Sequence, residues 1–126
     1  MKPELSFKKN FMEQINRIEL RGMVGNVKIQ NYTDAVVARL TVATNYAYKD
    51  KTGNAVIETA WHNVIAREGR NIQGLEELKR GDKVYLTGRL RYSKYTGSDG
   101  VERVACDVVA NRLVVLDEVE SLQNEM

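Results

Sequence analysis

The chain has 126 residues, 43% of them apolar and 29% charged, with a net charge of +2. That is room for one domain with a real core, and no apolar run approaches the roughly 18 residues of a membrane span. Cys106 and His62 are the sole cysteine and histidine, which excludes an intramolecular disulfide and a closed structural zinc site within one chain.

The chain opens on a mixed polar stretch, residues 1–15, read as an N-terminal extension. Phe7, Phe11 and Ile15 recur every four residues there, which fits a short helix or a docked arm. No continuous apolar segment of signal-peptide type is present, and the expected location is cytoplasmic. From Asn16 the period changes to two: Ile18 and Leu20 alternate with Arg17, Glu19 and Arg21, which predicts a first strand. Gly22 and Gly25 inside it predict a bulge or bend.

Turn formers at Asn31–Asp34 lead to a second strand from Val36 to about Tyr48, with Val36, Ala38, Leu40 and Val42 on one face. Lys49–Asn54 is a polar hairpin loop, and a third strand runs from about Val56 to Ala66. Between Arg67 and Arg80, Ile72, Leu75 and Leu78 share a face opposite Glu76, Glu77 and Lys79, which predicts a helix closed by Gly81. The fourth strand spans Lys83–Arg91, and Tyr92–Gly100 is a long polar and aromatic loop. The fifth strand is Val101–Leu116, rich in β-branched residues.

Residues 113–126 hold four acids and no base, which leaves 19 bases against 13 acids in the rest. A basic body with a short acidic tail, residues 117–126, is a modest electrostatic footprint for nucleic acid. The element order β-β-β-α-β-β is that of an all-β, five-stranded OB-fold barrel with one helix between strands 3 and 4, here expected over residues 16–116.

Sites for covalent chemistry are hard to build. There is no phosphate-cradling glycine motif, so no cofactor is expected. Glu76-Glu77 reads as a solvated face, His62 as a structural histidine and Cys106, between Val104 and Val108, as a core thiol. An enzyme is therefore not expected. Basic residues interleaved with aromatics remain: Tyr46, Tyr48, Lys49 and Lys51 at the end of the second strand, Trp61 with Arg67 beyond it, and Arg89, Arg91, Tyr92, Lys94 and Tyr95 along the fourth strand and its loop. Single-stranded nucleic acid calls for this combination, with cations on phosphates and rings on unpaired bases. Tyr85 is read instead as barrel packing.

Asn16-Arg17-Ile18, Leu40–Thr44, Lys49-Asp50-Lys51, Thr59–Ile65, Leu78–Arg91 and Asp99-Gly100 occur in that order. Together they resemble the bacterial single-stranded DNA-binding protein family over about residues 16–116. The resemblance implies a homotetramer of OB folds, with a dimer as the alternative, that wraps single-stranded DNA without sequence preference. It implies base stacking by Tyr48, Trp61 and Tyr95, while Arg67 stands where the family usually has phenylalanine; a guanidinium plane can also stack. It places His62 at a subunit interface.

Two departures accompany the match. The loop around Lys28–Asp34 is shorter than usual, and the family's long tail with its acidic tip has no counterpart before Met126. The second departure leaves recruitment of replication or repair proteins open. It keeps an alternative in view, a primosomal-type OB protein that acts through protein contacts.

Overall fold

The structure is a computed structural model, and it describes residues 14–116. Five strands make up almost all of it: β1 (Ile18–Asn31), β2 (Val36–Lys49), β3 (Ala55–Arg67), β4 (Lys83–Thr96) and β5 (Glu102–Leu116). They close into a barrel in the order β1-β2-β3-β5-β4, with β1 returning to pair with β4. Every pairing is antiparallel except the short β3–β5 contact at Val64↔Val108 and Ile65↔Val109. Closure removes the open sheet edges that would otherwise invite pairing with other chains.

The period-two patterns decide which way each strand faces. Ala38, Leu40 and Val42 of β2, Val64 and Ala66 of β3, and Val84 and Leu86 of β4 all point inward and are buried. Leu20 and Val24 of β1 and Val108, Ala110 and Leu113 of β5 complete the wall. Ile72, Leu75 and Leu78, from the segment between β3 and β4, close one end of the barrel.

That segment is not the expected helix. It contains a single 3-10 turn, Leu75–Glu77. Ile72, Leu75 and Leu78 are spaced by three, which a 3.0-residue turn accommodates as well as a 3.6-residue one. Gly74, just before the turn, has φ 72°, a left-handed conformation that interrupts a right-handed helix. Glu68 fixes the turn from outside, its Oε1 accepting the N–H groups of Gly74 (3.0 Å) and Leu75 (3.2 Å).

Three further expectations change. The loop foreseen over Tyr92–Gly100 is mostly strand: β4 continues to Thr96, with Tyr95 paired to Arg103, and the chain turns within Gly97–Val101. Cys106 is exposed rather than a core thiol, because its stretch of β5 has run past the barrel into that two-stranded ribbon. Tyr85 points outward between the inward Val84 and Leu86; its hydroxyl donates to Glu19, and Arg21 and Arg112 approach its ring. The readings of residues 1–13 and of the acidic tail 117–126 fall outside the described residues.

Candidate nucleic-acid interface

Trp61 follows from the pleat. His62, Val64 and Ala66 face inward on β3, so Trp61, Asn63, Ile65 and Arg67 face outward. The indole is 59% exposed, but it is not loose. It reaches across β2 and rests on β1, where a β-bulge between Val24 and Val27 sets Gly25 and Asn26 opposite Thr41. A Cβ on Gly25 would lie 2.5 Å from Trp61 Cζ3 and 2.6 Å from Thr41 Oγ1. Glycine is needed here for close approach rather than for an unusual backbone angle. Thr41 Oγ1 accepts the Asn26 N–H at 2.9 Å and so fixes the bulge. The result is a large apolar ring held in place with one face open to solvent.

Tyr48 is 41% exposed. It sits on β2 directly opposite Val56, near the tip of the β2–β3 hairpin, and stacks with Tyr46 at a centroid distance of 5.9 Å. By strand alternation this pair lies on the pleat face opposite that of Trp61. Lys49 pairs with Ala55 at the end of the ladder, and Lys51 lies in the turn itself. Asp50 organises that turn, its Oδ1 accepting from Thr52 Oγ1 (2.7 Å), Thr52 N (2.9 Å) and Asn54 N (2.9 Å). The Thr52 hydroxyl first, and then the Asn54 N–H, holds the Asp50 carboxyl below its usual range, so the turn stays anionic beside the two lysines.

On β4 the alternation puts Arg89, Arg91 and Tyr95 on the outward face, with Tyr95 49% exposed. Arg91 reaches Asp107 across the ladder at 3.9 Å. Lys94 points to the other side of the β4–β5 ribbon and pairs with Glu102 at 3.6 Å. The outer pleat face thus carries Trp61, Arg67, Arg89, Arg91 and Tyr95. It does not bring Tyr48 or Lys94 to that side. His62 is half-buried on the inner face, its Nε2 2.9 Å from Thr44 Oγ1.

Two residues of the site carry no sequence signal of their own. Gly25 is foreseen as a bend but not as the seat of the indole, and Thr41 reads as an ordinary strand residue. Their role follows from the cross-strand register. Among the described residues, no cluster of His, Cys, Asp and Glu is arranged to hold a metal ion. No helix there is long and apolar enough to cross a membrane.

Comparison with known proteins gives a consistent neighbourhood. Residues 15–116 match the model of the single-strand binding protein family. A single-stranded DNA-binding protein of Xanthomonas campestris pv. campestris is 40% identical over 104 residues, covering 81% of this chain and 60% of its own. One from Neisseria meningitidis serogroup A is 38% identical over 105 residues, with the same coverages. The chain therefore spans about 60% of the length of these relatives. Among solved structures, the Plasmodium falciparum SSB in complex with ssDNA superposes with a TM-score of 0.72 at 25% identity, covering 82% of this chain and 97% of that one. A deletion mutant of the Thermus aquaticus single-stranded DNA binding protein gives 0.65 at 22% identity, covering 82% and 51%, and supports the fold alone.

Proposed function

This chain belongs to the single-strand binding protein family, and from that premise we propose that it is a non-enzymatic binder of single-stranded DNA. It holds and protects strands during replication, recombination and repair without reading their sequence. The observation that carries the reading is the Trp61 indole, exposed to 59% yet seated on Gly25. A base stacking on a ring that is already ordered loses little of its gain to side-chain entropy. Each such stack contributes about 1–3 kcal/mol and tolerates any base. Duplex DNA keeps its bases paired and offers no face to the indole.

The contacts proposed are stacking by Tyr48, Trp61 and Tyr95 and phosphate neutralisation by Lys49, Lys51, Arg67, Arg89, Arg91 and Lys94. Arg67 adds a guanidinium plane on the indole's side of the sheet. Lys94 must leave Glu102 to take part. The binding unit is residues 16–116, acting in the cytoplasm. It assembles as a homotetramer with His62 at an interface, and His62→Tyr weakens that association by adding bulk at a packed contact.

Trp61 fluorescence titrated with oligo-dT, oligo-rU and duplex DNA at two salt concentrations tests the reading. Strong quenching by oligo-dT, weaker at the higher salt, is expected. No quenching by oligo-dT, or equal quenching by duplex, overturns it. A monomeric mass at micromolar concentration rejects the assembly.

A further inference from the structure

The outer wall of the barrel also carries an aligned row of residues, of which only Arg89 belongs to the contacts just named. Lys28 of β1 is directly opposite Arg39 of β2. Arg39 is opposite Ile65 of β3, Ile65 opposite Val109 of β5, and Val109 opposite Arg89 of β4. Because the five strands close into a barrel, this rung runs round the wall; within it Lys28 and Arg39 stand next to the apolar Ile65. Adjacent strands are about 4.8 Å apart, so the rung is a track several residues long running across the strands. A groove of about 250 Å³ lies along it, lined by Lys28, Arg39, Thr41, Asn63, Ile65 and Asp107, among others.

Lys28 and Arg39 form the unusual part. Like charges directly opposite on an antiparallel pair destabilise a sheet. Among the described residues no carboxylate or other partner offsets either of them. The groove's own acid, Asp107, is engaged by Arg91 from the far side. A pair of uncompensated cations beside an apolar floor suits a ligand that alternates anionic and flat apolar groups.

The geometry points to Lys28 and Arg39 as a phosphate clamp that extends the Trp61 site, so that a single strand leaving the indole follows the groove past these two cations. Phosphodiesters engage the two cations, and a base lies over Ile65. This assignment rests on the single-strand reading above and deepens it. Neither residue is singled out by its local sequence, because each is an isolated cation in an ordinary alternating strand.

The test is the double variant Lys28→Thr/Arg39→Thr, in which threonine preserves β propensity. Its melting temperature should equal or exceed that of the unsubstituted protein, since a repulsion is removed. The slope of log K against log salt for oligo-dT should fall in magnitude by about 1.4, at about 0.7 per phosphate no longer neutralised. An Arg17→Ala/Arg80→Ala variant, with the same net charge, should keep the original slope. An unchanged slope in Lys28→Thr/Arg39→Thr overturns the clamp while leaving single-strand binding intact. An equal fall in the Arg17/Arg80 control also overturns it, because the effect would then be that of net charge. Failure of the unsubstituted protein to bind oligo-dT would remove the single-strand reading itself and the clamp with it.

Discussion

Gly25→Ala isolates the seating of the indole. The backbone accepts alanine there, since Gly25 is not among the glycines with positive φ. Space is the difficulty: the new methyl would lie 2.5 Å from Trp61 Cζ3 and 2.6 Å from Thr41 Oγ1. Carbon atoms in contact rest about 3.5–4.0 Å apart, so the indole must retreat by about 1 Å or more, and the Thr41 hydroxyl must also give way. The indole tip is the softer partner, being exposed and at the end of its side chain. It should swing outward into solvent rather than drive the strands apart.

A side chain about 30° from its preferred rotamer costs about 0.5–1.5 kcal/mol. If a base stacks productively only on the seated ring, binding must restore that geometry against the methyl. Oligo-dT affinity should therefore fall roughly twofold to tenfold. A red-shifted Trp61 emission and easier acrylamide quenching in the free protein should accompany the loss. The decisive measurement is a double-mutant cycle with Trp61→Ala. If Gly25 acts through the indole, Gly25→Ala should cost almost nothing further in the Trp61→Ala background. An equal loss of affinity in both backgrounds, or unchanged emission in Gly25→Ala, would refute the seating argument.

Leu86 is fully buried in the barrel wall, so Leu86→Ala should lower unfolding free energy by about 2–5 kcal/mol in urea titrations; a loss below about 1 kcal/mol would contradict its place in the core. The Tyr85 hydroxyl donates to the Glu19 carboxylate, which raises the phenol above its usual value of 10.0. A raised folded-state pKa means that this stabilisation is complete below pH 10.0 and is lost as pH rises through the folded value. The stability difference between the unsubstituted protein and Tyr85→Phe should shrink on alkaline titration; a difference that is constant with pH rules out the ionisable hydroxyl as its source. Tyr95 is paired to Arg103 within a β ladder, so Tyr95→Ala should weaken oligo-dT binding by about 1–3 kcal/mol with little change in melting temperature, and a large drop in melting temperature would instead mark the ring as structural.

The barrel was legible where burial is one-sided. Val84 and Leu86 against Tyr85 and Thr87, or Leu40 and Val42 against Arg39 and Thr41, state a strand and its inward face at once. The reading failed where strands leave the barrel. Residues Tyr92–Thr96 are exposed on both pleat faces, so no alternation of polarity marks them, although their backbones pair with β5 as regularly as those of the buried residues. It failed again at Ile72–Leu78, where apolar spacing of three fits one face of a helix and successive 3-10 turns alike. The left-handed Gly74 decides between them. Hydrophobic period reports what a segment buries; it is silent on hydrogen bonding that buries nothing.

The same distinction explains which parts of the candidate interface could be read. Trp61, Arg67 and Tyr95 could be picked as candidates because ring and cation chemistry is local to each residue. Gly25, Lys28 and Arg39 could not, because the roles proposed for them depend on what the neighbouring strand places beside them: an indole on Gly25, one cation facing another across a ladder, and an apolar residue on the strand beyond. Barrel closure converts five separate stretches of sequence into one outer wall, and cross-strand register turns unremarked residues into neighbours. A base platform needs a ring that is both exposed and immobile, conditions that oppose each other on a single strand. The bulge at Gly25 reconciles them, since it lets β1 support the indole from below while solvent, or a base, meets it from above.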